Sequence, residues 1–134
     1  MTNLPPSGFL KIGTSDLEYR MIGPAPDQAP TIVMLHEGLG CVGLWGDFPD
    51  RLQAATSAGV LVYSRAGYGA STPSALPRPL DYMHVEAQDV LPKLLASPNI
   101  ASRRSLFEQY DSIVQSRTVR RPEEAGAAVL WLRE

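Results

Sequence analysis

An α/β fold with a mostly parallel sheet is expected from three features of the chain. Two apolar, strand-sized runs, Thr31 to Leu35 and Val60 to Tyr63, each lead into a glycine-rich loop. Helix signals lie between them. A second helical spacing of apolar residues follows, at Met83, Ala87, Val90, Leu91 and Leu94. Strands alternating with helices imply crossovers, and crossovers imply parallel neighbours with ligand groups gathered at the carboxyl ends of the strands.

Size and composition narrow the function classes. The 134 residues, 44% of them hydrophobic, suit one compact unit that buries about two-thirds of its unfolded surface. A formal charge of −2 argues against a general nucleic-acid or membrane-surface binder, because a mildly acidic chain is not attracted to phosphate or anionic lipid. A small-molecule site is favoured instead. The lone cysteine, Cys41, has no partner for an internal disulfide, and Met1 to Ser7 lacks the charged and apolar regions of a secretory leader. A cytoplasmic protein is therefore expected. The longest apolar stretches fall well short of the roughly 20 residues that span a bilayer.

Each element has a local reason. Gly8 to Ile12 and Leu17 to Ile22 read as strands joined by the polar turn Gly13 to Asp16, a hairpin able to form one edge of a sheet. The proline-dense segment Gly23 to Pro30 cannot continue a ladder and should be a surface connection. Thr31 to Leu35 then suits a strand buried on both faces. Pro49 fits the first turn of a helix running through Leu52 and Ala55, where its missing N–H costs nothing. Val60 to Tyr63 is the next buried strand, and Ala70 to Pro79 is turn-like. Asp81 is placed to cap the following helix, with Pro92 expected to kink its last turn.

Three motifs stand out: His36-Glu37-Gly38-Leu39-Gly40 after one strand, Ser64-Arg65-Ala66-Gly67-Tyr68-Gly69-Ala70-Ser71 after the other, and Pro79-Leu80-Asp81-Tyr82 leading into a helix. Over about residues 9 to 95 they resemble the front half of an α/β-hydrolase. The resemblance implies a truncated three-layer sandwich whose first loop donates a backbone N–H to a developing oxyanion, with Gly38 or Leu39 as donor. In that pattern His36 braces its loop, and His36 and Arg65 are structural or rim residues beside a small-molecule substrate. The reaction it implies is hydrolysis of an ester or amide bond. The G-x-S-x-G elbow of such enzymes does not follow, so weak activity or none is expected.

Other chemistry can be weighed residue by residue. Ser71 sits in Gly69-Ala70-Ser71-Thr72-Pro73, where proline replaces the closing glycine of an elbow, and reads better as a turn serine than a nucleophile. His84, early in the second helix, reads as a surface or cap residue rather than a base. His36-Glu37 begins an H-E-x-x-H pattern, but Gly40 stands where the second imidazole belongs, so no metal is expected. Cys41 is a small loop residue before it is a thiolate. Gly38-Leu39-Gly40-Cys41-Val42-Gly43 matches G-x-G-x-x-G, which makes an NADP-binding Rossmann-like domain an alternative, with Arg65 near a 2′-phosphate. Pro49 in the body of the phosphate-facing helix opposes it, and no cofactor is expected.

Near residue 95 the chain changes character. Ser97-Pro98-Asn99-Ile100-Ala101-Ser102-Arg103-Arg104, Phe107 to Asp111, Val114-Gln115, Thr118-Val119 and Ala127 to Leu130 resemble an internal segment of phosphoribosylformylglycinamidine synthase, the glutamine- and ATP-dependent enzyme of purine synthesis. Ser105, Ser112 and Pro122 to Gly126 depart from that pattern, and no catalytic residue carries over. Physically, Ser105 and Glu108 form a capping box opening a helix through Gln115 with a Leu106, Tyr110, Ile113, Val114 stripe. Arg103, Arg104, Arg117, Arg120 and Arg121 read as a solvated face.

Ala127 to Leu132 reads as a strand, expected beside Val33 in the place of a missing hydrolase strand. The two signals divide the chain at 1–95 and 96–134 and suggest a truncated, chimeric product. The leading expectation is an inactive or weakly active hydrolase-like fragment that self-associates through an incomplete sheet. A fragment related to the synthase is the alternative.

Overall fold

The computed structural model describes residues 6–26, 28–97 and 128–132, the last for backbone alone. The helix expected over 105–115 and the arginines from 103 to 121 lie outside these residues. In order, the elements are β1 (Ser7–Ile12), β2 (Ser15–Ile22), β3 (Thr31–Leu35), a 3-10 turn (Val42–Trp45), α1 (Phe48–Thr56) and β4 (Gly59–Tyr63). Then come α2 (Tyr82–Val85), a π-helical turn (Glu86–Val90), α3 (Leu91–Leu95) and β5 (Ala128–Leu132).

The strands form one open sheet in the order β1-β2-β4-β3-β5. β3 and β4 run parallel, Val33 opposite Leu61, whereas β1–β2, β2–β4 and β3–β5 are antiparallel. The expectation of a mostly parallel sheet is thus corrected to a mixed α/β fold. The physical reason is connectivity: one helical crossover, α1, separates β3 from β4, while the hairpin of β1 and β2 enters by its antiparallel edge. β5 lies beside β3 with Val33 opposite Leu130, at the sheet position expected for residues 127 to 132.

Burial follows from this order. β3 and β4 are covered on both faces, so their side chains divide between two cores. Val33, Leu61 and Tyr63 join Leu10, Ile12, Leu17, Tyr19 and Met21 beneath Leu91, Leu94 and Leu95 of α3. Ile32, Met34, Val60 and Val62 face the other way, toward Val42, Trp45 and Leu52. Continuous apolar runs are the sequence form of that double burial. Each fully buried leucine contributes ~1.5–3 kcal/mol, so Leu17, Leu61 and Leu94 are principal anchors of the first core.

Helix ends agree in part with expectation. Pro49 lies in the first turn of α1. Asp81 holds the N-cap position of α2 but makes no side-chain capping bond, its φ of −94° and ψ of 12° lying outside the extended geometry that aims a cap oxygen at the first turn. Pro92 follows a π-helical turn in which the Leu91 N–H donates to the Glu86 carbonyl, the wider turn relieving the hydrogen bond that proline cannot make. Among the described residues, no helix is long and apolar enough to cross a membrane.

Candidate functional site

Both glycine-rich loops lie past the carboxyl ends of the parallel pair, and a dense polar network joins them. His36, at 4% exposure, is held at both ring nitrogens. Nδ1 lies 2.7 Å from the Glu37 carbonyl and Nε2 accepts the Arg65 backbone N–H at 3.0 Å, which selects the neutral ring with its proton on Nδ1. Burial, and then the Arg65 guanidinium, hold its pKa below the usual imidazole value. The Arg65 side chain, 5% exposed, donates to the carbonyls of His36 at 3.2 Å and Glu37 at 3.0 Å. Both residues are internal braces by geometry, and neither stands on a rim.

A second network zips the Ser64–Thr72 loop to β2. The Ser64 hydroxyl donates to Glu18 Oε2 at 2.9 Å and accepts the Val42 N–H at 2.8 Å. The Ala70 N–H reaches the same Glu18 oxygen at 3.0 Å. The Ser71 hydroxyl donates to the Ser64 carbonyl at 2.6 Å and accepts the Glu18 N–H at 2.8 Å. With 7% exposure and both roles filled, Ser71 is a turn brace. His84 is exposed on α2. The glycines of this loop mark close approaches: a Cβ on Gly69, at φ 51°, would strike the Glu18 carboxylate, and one on Gly67, at φ 86°, the Arg78 guanidinium.

The candidate oxyanion donors are differently placed. The Leu39 N–H donates to Glu37 Oε2 at 2.7 Å, so it is taken, and by a carboxylate that would repel a developing anion. Leu39 itself is 85% exposed, and Gly38 is open on its Cβ side. The dinucleotide fingerprint also lacks its helix: Gly43 lies in the short 3-10 turn, Gly46 breaks the chain, and α1 starts at Phe48. Among the described residues, no three His, Cys, Asp or Glu side chains gather as a metal set.

Sequence reading missed Glu18, and it also missed Tyr68, Arg78 and Glu86. Tyr68 lies 4.9 Å from the His36 ring, with the Arg65 ζ carbon 5.1 Å and the Arg78 ζ carbon 4.5 Å from its own centroid. Arg78 also lies 5.3 Å over Tyr82 and donates to the Ala66 carbonyl at 3.1 Å. Glu86 faces this pair of arginines from the π-helical turn. Its pKa is raised, by desolvation first, against the opposing pull of Arg65 and Arg78. A carboxylate on a helical stripe otherwise read as core, at Met83, Ala87 and Val90, was the available signal.

With the centre described, comparison with known proteins separates the readings. No family model matches the chain, and no solved structure matches it. The curated relatives it resembles are synthases. Specifically, each of the following is a phosphoribosylformylglycinamidine synthase subunit PurL. That of Ignicoccus hospitalis is 34% identical over 119 residues, covering 89% of this chain and 15% of the relative. That of Thermomicrobium roseum is 39% identical over 85 residues, 63% of this chain and 11% of the relative. That of Thermus thermophilus is 46% identical over 55 residues, 41% of this chain and 8% of the relative. The chain thus spans a small part of the length of these relatives.

The hydrolase and oxyanion-hole reading is corrected by these findings, since the matches are to a synthase subunit and the Leu39 donor is already bonded. Nor is the likeness confined to the tail, because 119 residues exceed the 39 of 96–134.

Proposed function

We propose that this chain is a segment related to phosphoribosylformylglycinamidine synthase, serving as a structural and docking unit of such an assembly rather than as a self-sufficient catalyst. The observation that carries this reading is the 34% identity over 119 residues to a protein of which the chain spans 15%. The polar centre supports it: His36, Ser64 and Ser71 have their hydrogen-bonding groups committed to neighbouring loops, which leaves them bracing the fold. A docking role fits the relatives' description as subunits, and the formal charge of −2 disfavours nucleic acid as the partner.

A fragment-complementation experiment tests the proposal. A PurL subunit lacking the matching stretch is co-expressed with this chain, and synthase activity and co-purification are measured. Restored activity with a stable complex is expected. Absence of both, or rapid ester turnover by the purified chain with fluorophosphonate labelling of a serine, would sink the reading.

A self-association reading rests on a different observation. Among the described residues β5 pairs with β3 on one side and is the last strand of the sheet, and Ala128 to Leu132 contains no charge, proline or glycine to discourage pairing with a second strand.

A further inference from the structure

We propose that Glu86 is a proton-operated clasp that decides whether the turn from Tyr82 to Val90 stays packed against the Arg65 and Arg78 pair. Three geometric facts support it. Glu86 Oε1 is buried without a hydrogen-bond partner, and so is Nε of Arg65. Glu86 opens a π-helical turn between two short helices, a wide backbone geometry that often marks functional sites. Beyond it, Leu91, Leu94 and Leu95 are buried in the sheet core and anchor α3, whereas the preceding turn meets that core through the partly buried Val90.

The charged groups facing Glu86 are Arg65 and Arg78, from the loop after β4, and Asp89 from its own turn. Asp89 is paired with Lys93 at 2.8 Å. Arg65 has its two terminal nitrogens on the carbonyls of His36 and Glu37, and Arg78 donates to the Ala66 carbonyl and lies over Tyr68 and Tyr82. Both guanidiniums are therefore held in place by other groups, and the carboxyl is the member free to leave. Desolvation outweighs their attraction and raises the Glu86 pKa. The packed turn thus binds its proton more tightly than the opened turn. Lower pH closes the clasp, and rising pH, once Glu86 ionises, opens it toward water.

Hydrogen exchange of the full chain across about pH 4 to 8, corrected for intrinsic amide chemistry, tests this in the wild type and in Glu86→Gln. Protection of Tyr82 to Val90, relative to β3 and β4, should fall as pH rises. The fall should be about tenfold for each unit by which Glu86 titrates above its unfolded value. Glu86→Gln, uncharged throughout, should hold the turn closed at every pH. A pH-independent wild type, or the same dependence in Glu86→Gln, overturns the proposal. A carbon-13 titration of the Glu86 carboxyl decides independently of the variant's folding: a value at or below that of ordinary glutamate refutes the clasp.

Discussion

The Ser64 hydroxyl donates to the Glu18 carboxylate at 2.9 Å, joining the end of β4 to β2 across 46 positions of sequence. Ser64 is fully buried, and its oxygen also accepts the Val42 N–H from the loop after β3. One side chain thereby ties three segments at the carboxyl end of the parallel pair. Ser64→Ala strands the Val42 donor and removes a bond from Glu18, and should cost ~1–3 kcal/mol. Urea unfolding checks it, and an unchanged midpoint would show that the network contributes nothing.

Gly69 presses on the same carboxylate. Its φ of 51° favours glycine, and an added methyl would meet Glu18 Oε2 and the Ser64 hydroxyl. Gly69→Ala should destabilise by about 2 kcal/mol, the left-handed backbone and the displaced carboxylate acting together. Thermal unfolding measures the loss, and Gly13→Ala, where a Cβ meets nothing within 4 Å, is a comparison carrying backbone strain alone.

His36→Ala should cost ~1–3 kcal/mol, because it leaves the buried Arg65 N–H without an acceptor. A pH dependence follows as well. The folded chain holds His36 neutral, with a lowered pKa, while the unfolded chain takes up its proton near about pH 6.5. More protons are bound in the unfolded state over that window, so the stability due to His36 declines as pH falls below about 6.5 and levels off at the folded pKa. Denaturation of wild type and His36→Asn across this range should reveal a difference that narrows toward acid, and parallel curves would contradict it.

Removing β5 uncovers the backbone edge of β3, whose partner on that side it is. A chain ending at residue 97 should sediment as larger species with rising concentration, and more so than the full chain. If both sediment as the same monomer with unchanged circular dichroism, the edge is not protected by β5.

Local order explains which parts were readable in advance. The β1–β2 hairpin, the buried runs of β3 and β4 and the proline-started α1 depend on neighbours close in sequence, and were placed correctly to within a residue or two. The orientation of strand neighbours was not, since β2–β4 and β3–β5 are antiparallel, a choice made by contacts 38 to 101 residues apart that periodicity does not encode. At the centre, His36 and Arg65 were singled out by position. Glu18 escaped notice because its meaning depends on a loop some 50 residues away.

Motif reading also assigned the loops to the wrong class. Small residues after a strand look alike whether they cradle a substrate or admit a neighbouring side chain, and here Gly67 and Gly69 admit Arg78 and Glu18.

The amino-acid sequence by itself determined where strands and helices begin and which faces are apolar, because spacing and turn chemistry act over a few residues. Tertiary structure alone decided that His36, Ser64 and Ser71 bond across the two loops and β2, and that Glu86 meets two arginines under burial. Those outcomes depend on desolvation and on hydrogen-bond partners supplied from distant parts of the chain.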